Sequence, residues 1–212
     1  MVYPEIIILF NGGSHGDFLK ASCEYMLSRK KIEVSSIGQV LINSKFKNDT
    51  IKTWHEGKKT SLKKGNYNRV EVSHIWYDEF KQFPSKFYYI NYPKKVNSAL
   101  IEILIKKLFK NKITNAIKYY KDKIKFFPKN YDKHITPKNF IQMLEILHLK
   151  NSKKFKTIPN IQKIDIIELY EYDSMIKLLK RMNCYNAKHE IMYQRYYYHW
   201  KERNSKFIEK IK

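Results

Sequence analysis

The chain has 212 residues, 43% of them apolar and 15% aromatic, which suffices for a buried core and excludes wholesale disorder. Forty-two basic residues against 20 acidic ones leave a net charge of +22, a balance that favours polyanions such as nucleic acid, anionic lipid or a phosphorylated ligand. No apolar run approaches the ~20 residues of a membrane-spanning helix, the start lacks the pattern of a signal peptide, and Cys23 and Cys184 are too few for a disulfide scaffold or a four-ligand zinc site. The expectation is a soluble, cytoplasmic protein with both thiols reduced.

The first apolar run, Glu5 to Phe10, has the length of a buried strand. Asn11-Gly12-Gly13-Ser14-His15-Gly16-Asp17 follows it, and then Phe18, Ala21, Ser22, Tyr25 and Met26 recur on one helical face, with Lys20 and Glu24 off that face. Strand, glycine loop and helix are predicted in that order. Asp17 falls where a helix N-terminus favours negative charge. Residues 44–69 lose all periodicity, carry seven Lys and one Arg against two acids, and read as a long loop, a hairpin or a lid.

Val70 to Ile75 and the aromatic stretch Phe87-Tyr88-Tyr89-Ile90, bounded by Pro84 and Pro93, are the next strands. Beyond Pro93 the spacing of Val96, Leu100, Leu104 and Leu108, widened by Ile101 and Ile105, predicts a helix, and Ile113, Ile117, Tyr120 and Ile124 predict another. Residues 105–130 carry nine Lys against Asp122 alone, which reads as a solvated helical face before it reads as a polyanion groove. Pro137 opens a third helix through Phe140, Met143, Leu144 and Leu147. Lys163 to Tyr170 forms the last strand, Asp173-Ser174 caps a helix with Met175, Ile176, Leu178 and Leu179, and 187–212 is a polar, helix-permissive C-terminal tail. Strands alternating with helices imply a three-layer α/β fold, a mainly parallel sheet with helices on both faces, in one domain over 1–212.

Two segments could carry chemistry. In the glycine loop, Gly12, Gly13, Ser14, His15, Gly16, Asp17 and Phe18 could wrap a phosphate with backbone N–H groups at a helix N-terminus. The P-loop ATPase pattern puts Lys-Ser/Thr after its last glycine, and Asp17-Phe18 stands there instead, so ordinary ATP hydrolysis is disfavoured. A ligand-free tight turn is the competing account. The second segment runs from Val70-Glu71-Val72-Ser73-His74 through Phe83-Pro84 to Tyr92-Pro93-Lys94-Lys95-Val96.

That order resembles the sulfotransferase family. Its strand-end Lys-Thr-His segment corresponds to Ser73-His74, its Leu-Pro to Phe83-Pro84, and its Arg-Asn-Pro-(Arg/Lys)-Asp-Val to the stretch ending Pro93-Lys94-Lys95-Val96. The loop with Ser14 and Phe18-Leu19 looks like the family's phosphosulfate loop, and Ile166 to Leu179 is similar to its later strand, turn and helix. The resemblance implies a P-loop-like fold, 3′-phosphoadenosine 5′-phosphosulfate as donor without a metal, a small-molecule or glycan hydroxyl as acceptor, and His74 as the base that takes the hydroxyl proton. The competing account of His74 is a strand-end histidine with no catalytic part. The family's arginine and serine for the 3′-phosphate fall on Asn91 and Ala99, its loop lysine falls on Gly13, and Lys94, Lys95 and Ser98 are the nearby substitutes.

Two rival functions stand beside this one, a nucleotide-dependent kinase or other phosphotransferase and a non-catalytic nucleic-acid or polyanion-binding protein. Thirty-seven of the basic residues are Lys and five are Arg, the mark of a low-GC coding bias, whereas base-edge and bidentate phosphate recognition favour Arg. Nucleic-acid association is therefore expected to be weak and nonspecific. The run Tyr196-Tyr197-Tyr198-His199-Trp200 points around a helix rather than to one side, so it is expected to pack in the core with one exposed edge and not to form a stacking platform.

Overall fold

A computed structural model describes residues 3–11, 14–28, 32–34, 40–42, 69–73, 78–109, 114 and 136–212. In chain order the elements are β1 (Ile6–Leu9), α1 (Gly16–Ser28), β2 (Ile32–Val34), β3 (Val40–Ile42), β4 (Val70–Ser73), β5 (Lys86–Asn91), α2 (Asn97–Phe109), α3 (Pro137–Lys156), β6 (Gln162–Asp165), α4 (Tyr172–Arg181), α5 (Glu190–Arg203) and α6 (Ser205–Ile211). The lid or loop at 44–68, His74, Gly12, Gly13 and the helix predicted through Ile113–Ile124 lie outside the described residues, Thr114 apart.

Strands β4, β1, β5 and β6 form one parallel sheet in that order, an α/β arrangement, while β2 and β3 make a separate antiparallel pair that no sequence pattern announced. Ile6 stands beside Val70 and Lys86, and Leu9 beside Ser73 and Tyr89, so β1 is central. Alternation along β1 divides the core. Ile6, Ile8 and Phe10 join a large cluster with Phe18 and Leu19 of α1, Leu178 and Leu179 of α4, Tyr193, Tyr197 and Trp200 of α5, and Phe207 and Ile211 of α6. Ile7 and Leu9 face the other way, onto Tyr89, Phe80, Phe155 of α3 and Ile158.

The predicted apolar faces of α1 and α4 are both buried. Thr136 caps α3 by accepting the Asn139 N–H at 3.2 Å, with Pro137 in the first turn as its spacing suggested. Two expectations need correction. The strand read as continuing to Tyr170 stops at Asp165, because the Asp165 carboxylate accepts the Ile167 N–H at 3.3 Å and the Glu168 carboxylate accepts the Asp165 N–H at 2.8 Å, a capping box that turns Ile166–Leu169 into a 3-10 helix. Helix α4 starts earlier than Asp173-Ser174 suggested, with Glu171 at its N-cap and Asp173 inside its first turn. The polar C-terminal segment buries Tyr193, Tyr197, Trp200, Phe207, Ile208 and Ile211, while Tyr198 is exposed. The two cysteines, on α1 and just after α4, are both buried and free. No described helix is long and apolar enough to cross a membrane.

Candidate functional site

All four strands of the main sheet are parallel, so their carboxyl ends share one edge. At that edge the Phe10 N–H donates to the Ser73 carbonyl at 3.0 Å, which sets the start of the glycine loop, at Asn11, beside the end of β4. Lys94 and Lys95 are exposed on a 3-10 turn just past the end of β5, on the same edge.

The loop closes on itself. The Ser14 N–H, at 3.1 Å, and the Ser14 hydroxyl, at 2.7 Å, both donate to the Asn11 carbonyl, and Ser14 is fully buried. Ser14 is therefore engaged within the turn. His15 adopts φ 60°, in the left-handed region, and its carbonyl receives the Leu19 N–H at 3.1 Å as the helical ladder begins. The N–H groups of Gly16, Asp17 and Phe18 precede that ladder and are the ones a helix end offers to an acceptor. The His15 ring is buried against Tyr170 and Trp200 and so packs in the core. Phe18 is likewise buried, its ring stacked on Trp200, and only its backbone is available to a ligand.

Gly16 has a packing reason for being glycine. A Cβ built there would lie 2.3 Å from Cγ of Phe10, whose ring fills the space beside the first turn of α1. Asp17 favours the helix dipole there but is also a negative charge that any bound anion must tolerate. The one basic residue of α1, Lys20, was expected off the buried face. It is instead buried, with Nζ 2.9 Å from Oε2 of Glu71, itself fully buried on the edge strand β4.

Around the proposed 3′-phosphate positions the surroundings are acidic as well as basic. Ser98 is exposed and bonds through its hydroxyl to the Glu145 carboxylate of α3. A phosphate beside Ser98 would meet the Glu145 carboxylate. Asn91 and Ala99 are half-buried, Ala99 against the large core cluster.

The sequence did not single out a polar network on the β5 side of the loop. The Asn11 side-chain N–H₂ lies 2.6 Å from the Tyr92 hydroxyl, 2.9 Å from Ser152 Oγ and 3.1 Å from the His148 carbonyl. Asn97 Nδ2 donates to the Glu145 carbonyl at 3.2 Å, so its Oδ1 is the acceptor and receives the proton on Nδ1 of His148 at 3.1 Å. The lone pair of His148 is then on Nε2. Burial pushes the His148 imidazole down to about 4, so it is neutral near pH 7, and burial also raises the Tyr92 phenol. A signal for His148 existed: Phe140, Leu144 and His148 follow one another at four-residue steps along α3 and all are buried. Set against models of known protein families, curated proteins and solved structures, the chain matches none of them.

Proposed function

We propose that the chain is a P-loop-like, sulfotransferase-like enzyme that binds an anionic phosphate or sulfate ester at the start of α1 and transfers a sulfuryl group to a hydroxyl acceptor. The observation that supports this most is the parallel pairing of β1 with β4, with Phe10 bonded to Ser73. It brings the chain just before His74 beside the loop, although more than sixty residues separate them, and carboxyl ends of parallel strands are where ligands of such sheets bind.

The residues fit one end of 3′-phosphoadenosine 5′-phosphosulfate better than the other. The N–H groups of Gly16, Asp17 and Phe18, in the first turn of α1, suit its 5′ end. Its 3′-phosphate would have Lys94 and Lys95 but not Ser98, which Glu145 holds. When bound, the phosphosulfate supplies the sulfuryl group and an anionic leaving group. The protein's part is to hold the leaving oxygens on first-turn N–H groups and to receive the acceptor's proton on His74.

A second reading, a nucleotide-dependent phosphotransferase on the same loop, is favoured by the Glu145 carboxylate beside Ser98, since it disfavours a donor with a 3′-phosphate. A thermal-shift comparison of adenosine 3′,5′-bisphosphate, ATP with magnesium, and single-stranded DNA separates these readings and tests the polyanion-binding alternative. At about a hundred times its Kd, a ligand that prefers the folded state adds about 2.7 kcal/mol. Stabilisation by the bisphosphate supports sulfuryl transfer, and stabilisation by ATP with magnesium alone replaces it with phosphoryl transfer. His74→Ala should keep wild-type affinity for the bisphosphate and, with the phosphosulfate donor and a hydroxyl acceptor, lose roughly a hundredfold or more in turnover.

A further inference from the structure

The chain has two cysteines, far apart in sequence, and the fold brings them together. Cys23 lies within α1 and Cys184 just past the end of α4, and both are free and fully buried. Asn183, at φ 58°, turns the chain back on α4, and the Cys184 N–H closes the turn by donating to the Leu179 carbonyl at 2.9 Å. That turn fixes where the Cys184 sulfur sits.

The Cys184 thiol donates its one proton to the Met182 carbonyl at 3.6 Å. Because the Cys23 thiol is also hydrogen-bonded to Cys184, Cys23 is the donor in that contact and the Cys184 sulfur the acceptor. Tyr88 of β5 places the pair a second way: burial raises its phenol, and negative charge on Cys184 or on Cys23 raises it further, so both sulfurs lie near the same ring. The two thiols thus meet where α1, the end of α4 and β5 converge, within the large core cluster. A single buried thiol acts there as a small apolar group, whereas two in contact can exchange electrons. Cys184 is also the shallower of the two, since its neighbours Asn183 and Tyr185 are exposed and half-buried, and a local opening of this turn brings its sulfur to a small reagent.

We propose that Cys23 and Cys184 are a redox couple, which hydrogen peroxide converts into one intrachain disulfide joining α1 to the end of α4. The Cys184 sulfur attacks the peroxide, the O–O bond breaks as an S–O bond forms, and a sulfenic acid and water result. The Cys23 sulfur then attacks Cys184, the S–S bond forms as the S–O bond breaks, and the displaced oxygen leaves as a second water with the Cys23 proton. The two sulfurs are oxidised by two electrons in all and the peroxide is reduced to water. Burial and the neighbouring Cys184 push the Cys23 thiol well above its ordinary range, so it waits as a thiol until the sulfenic acid forms beside it. The disulfide restrains α1, the helix that starts at the glycine loop, and the inference does not depend on what that loop binds.

The full chain, prepared reduced, is treated with hydrogen peroxide under native conditions and then unfolded without reductant. Free thiols should fall from two to none, the protein should stay monomeric on a non-reducing gel, and peptide mapping should find Cys23 linked to Cys184. The melting midpoint should rise by about 5–10 °C, because the bond closes a long loop of the unfolded chain, and a dithiol reductant should reverse the rise. Cys23→Ala should form no link, should show no rise, and should hold Cys184 as a sulfenic acid that dimedone traps. Two thiols still free in treated wild type overturn the proposal, as does a link that joins two chains. An intrachain link that lowers the midpoint also overturns it, since the sulfurs would then meet only by distorting the fold. These wild-type results decide the matter even if the alanine variant does not fold.

Discussion

Two groups of buried polar side chains flank the same loop, and they are built in opposite ways. On the β5 side, Asn11, Tyr92, Asn97, His148 and Ser152 are tied together by hydrogen bonds of 2.6–3.4 Å, with the Asn11 Oδ1 the one buried acceptor left over. On the α5 side, Tyr170 and Trp200 bury a hydroxyl and an indole N–H with no partner among the described residues. Residue type does not distinguish the two groups, since both contain aromatic hydrogen-bonders. What differs is satisfaction. The network holds α2 and α3 against the end of β1 and fixes the shape of the edge, while the unpaired donors carry a desolvation cost that no partner among the described residues offsets. Asn11 joins the two regions, because its side chain enters the network while its carbonyl holds Ser14 in the loop.

The contrast predicts that breaking a paired group damages the fold, and the largest effect belongs to Lys20. Lys20→Met leaves Glu71 buried without its cation and should cost about 3–5 kcal/mol in urea unfolding, whereas Lys20→Met with Glu71→Leu should recover most of the loss. Failure of the double variant to recover would mean that the pair positions the edge strand beyond neutralising its own charge.

His148 gives the next effect, of about 3 kcal/mol, and it is read through pH. Its folded pKa of about 4 lies below the ordinary 6.5, so the unfolded chain takes up the proton first. The stabilisation from keeping it neutral is whole above pH 6.5, declines as pH falls towards 4, and is absent below that. Stability of wild type and of His148→Gln, measured from pH 7.5 to 4, should therefore converge by about that amount across the window. Parallel curves would show that the ring is not buried neutral.

The same contrast explains what the sequence revealed. Apolar spacing gave β1, α1, β5, α3 and α4 because burial of Ile6–Leu9, Phe18, Met26, Leu144 and Leu178 is a property of each segment's own pattern. Polar pairing is a property of two segments at once. Lys20 looks solvent-facing until Glu71, 51 residues away, is beside it, and His148 looks like a spare histidine until Asn97 orients its ring. The end of β6 was misjudged for a local reason: the apolar run Ile166, Ile167, Leu169 suits a strand, and the Asp165–Glu168 capping box outweighs it. The glycine loop was legible as a strand-to-helix turn, but not the inward engagement of Ser14 and His15.

Asn97→Ala probes the network at its hub. It removes the acceptor for His148 Nδ1 and the donor to the Glu145 carbonyl, leaving buried groups unpaired, and should cost about 1–3 kcal/mol by denaturant titration. Affinity for adenosine 3′,5′-bisphosphate should change little if the network is scaffold. A larger fall in affinity than in stability would move the network into the binding site and erase the distinction between the two sides.

Glu145 offers the smallest and most discriminating change. Its carboxylate is bonded to the exposed Ser98 hydroxyl near Lys94 and Lys95, where a 3′-phosphate would approach. Glu145→Gln keeps a hydrogen-bonding side chain of the same length and removes one negative charge, so stability should shift by no more than about 0.5 kcal/mol. Affinity for adenosine 3′,5′-bisphosphate should rise about two- to fourfold at low ionic strength, and the gain should shrink as salt screens a solvent-exposed charge. Adenosine 5′-monophosphate, which lacks the 3′ group, should gain less. Equal gains for both nucleotides would place the 3′-phosphate away from α2.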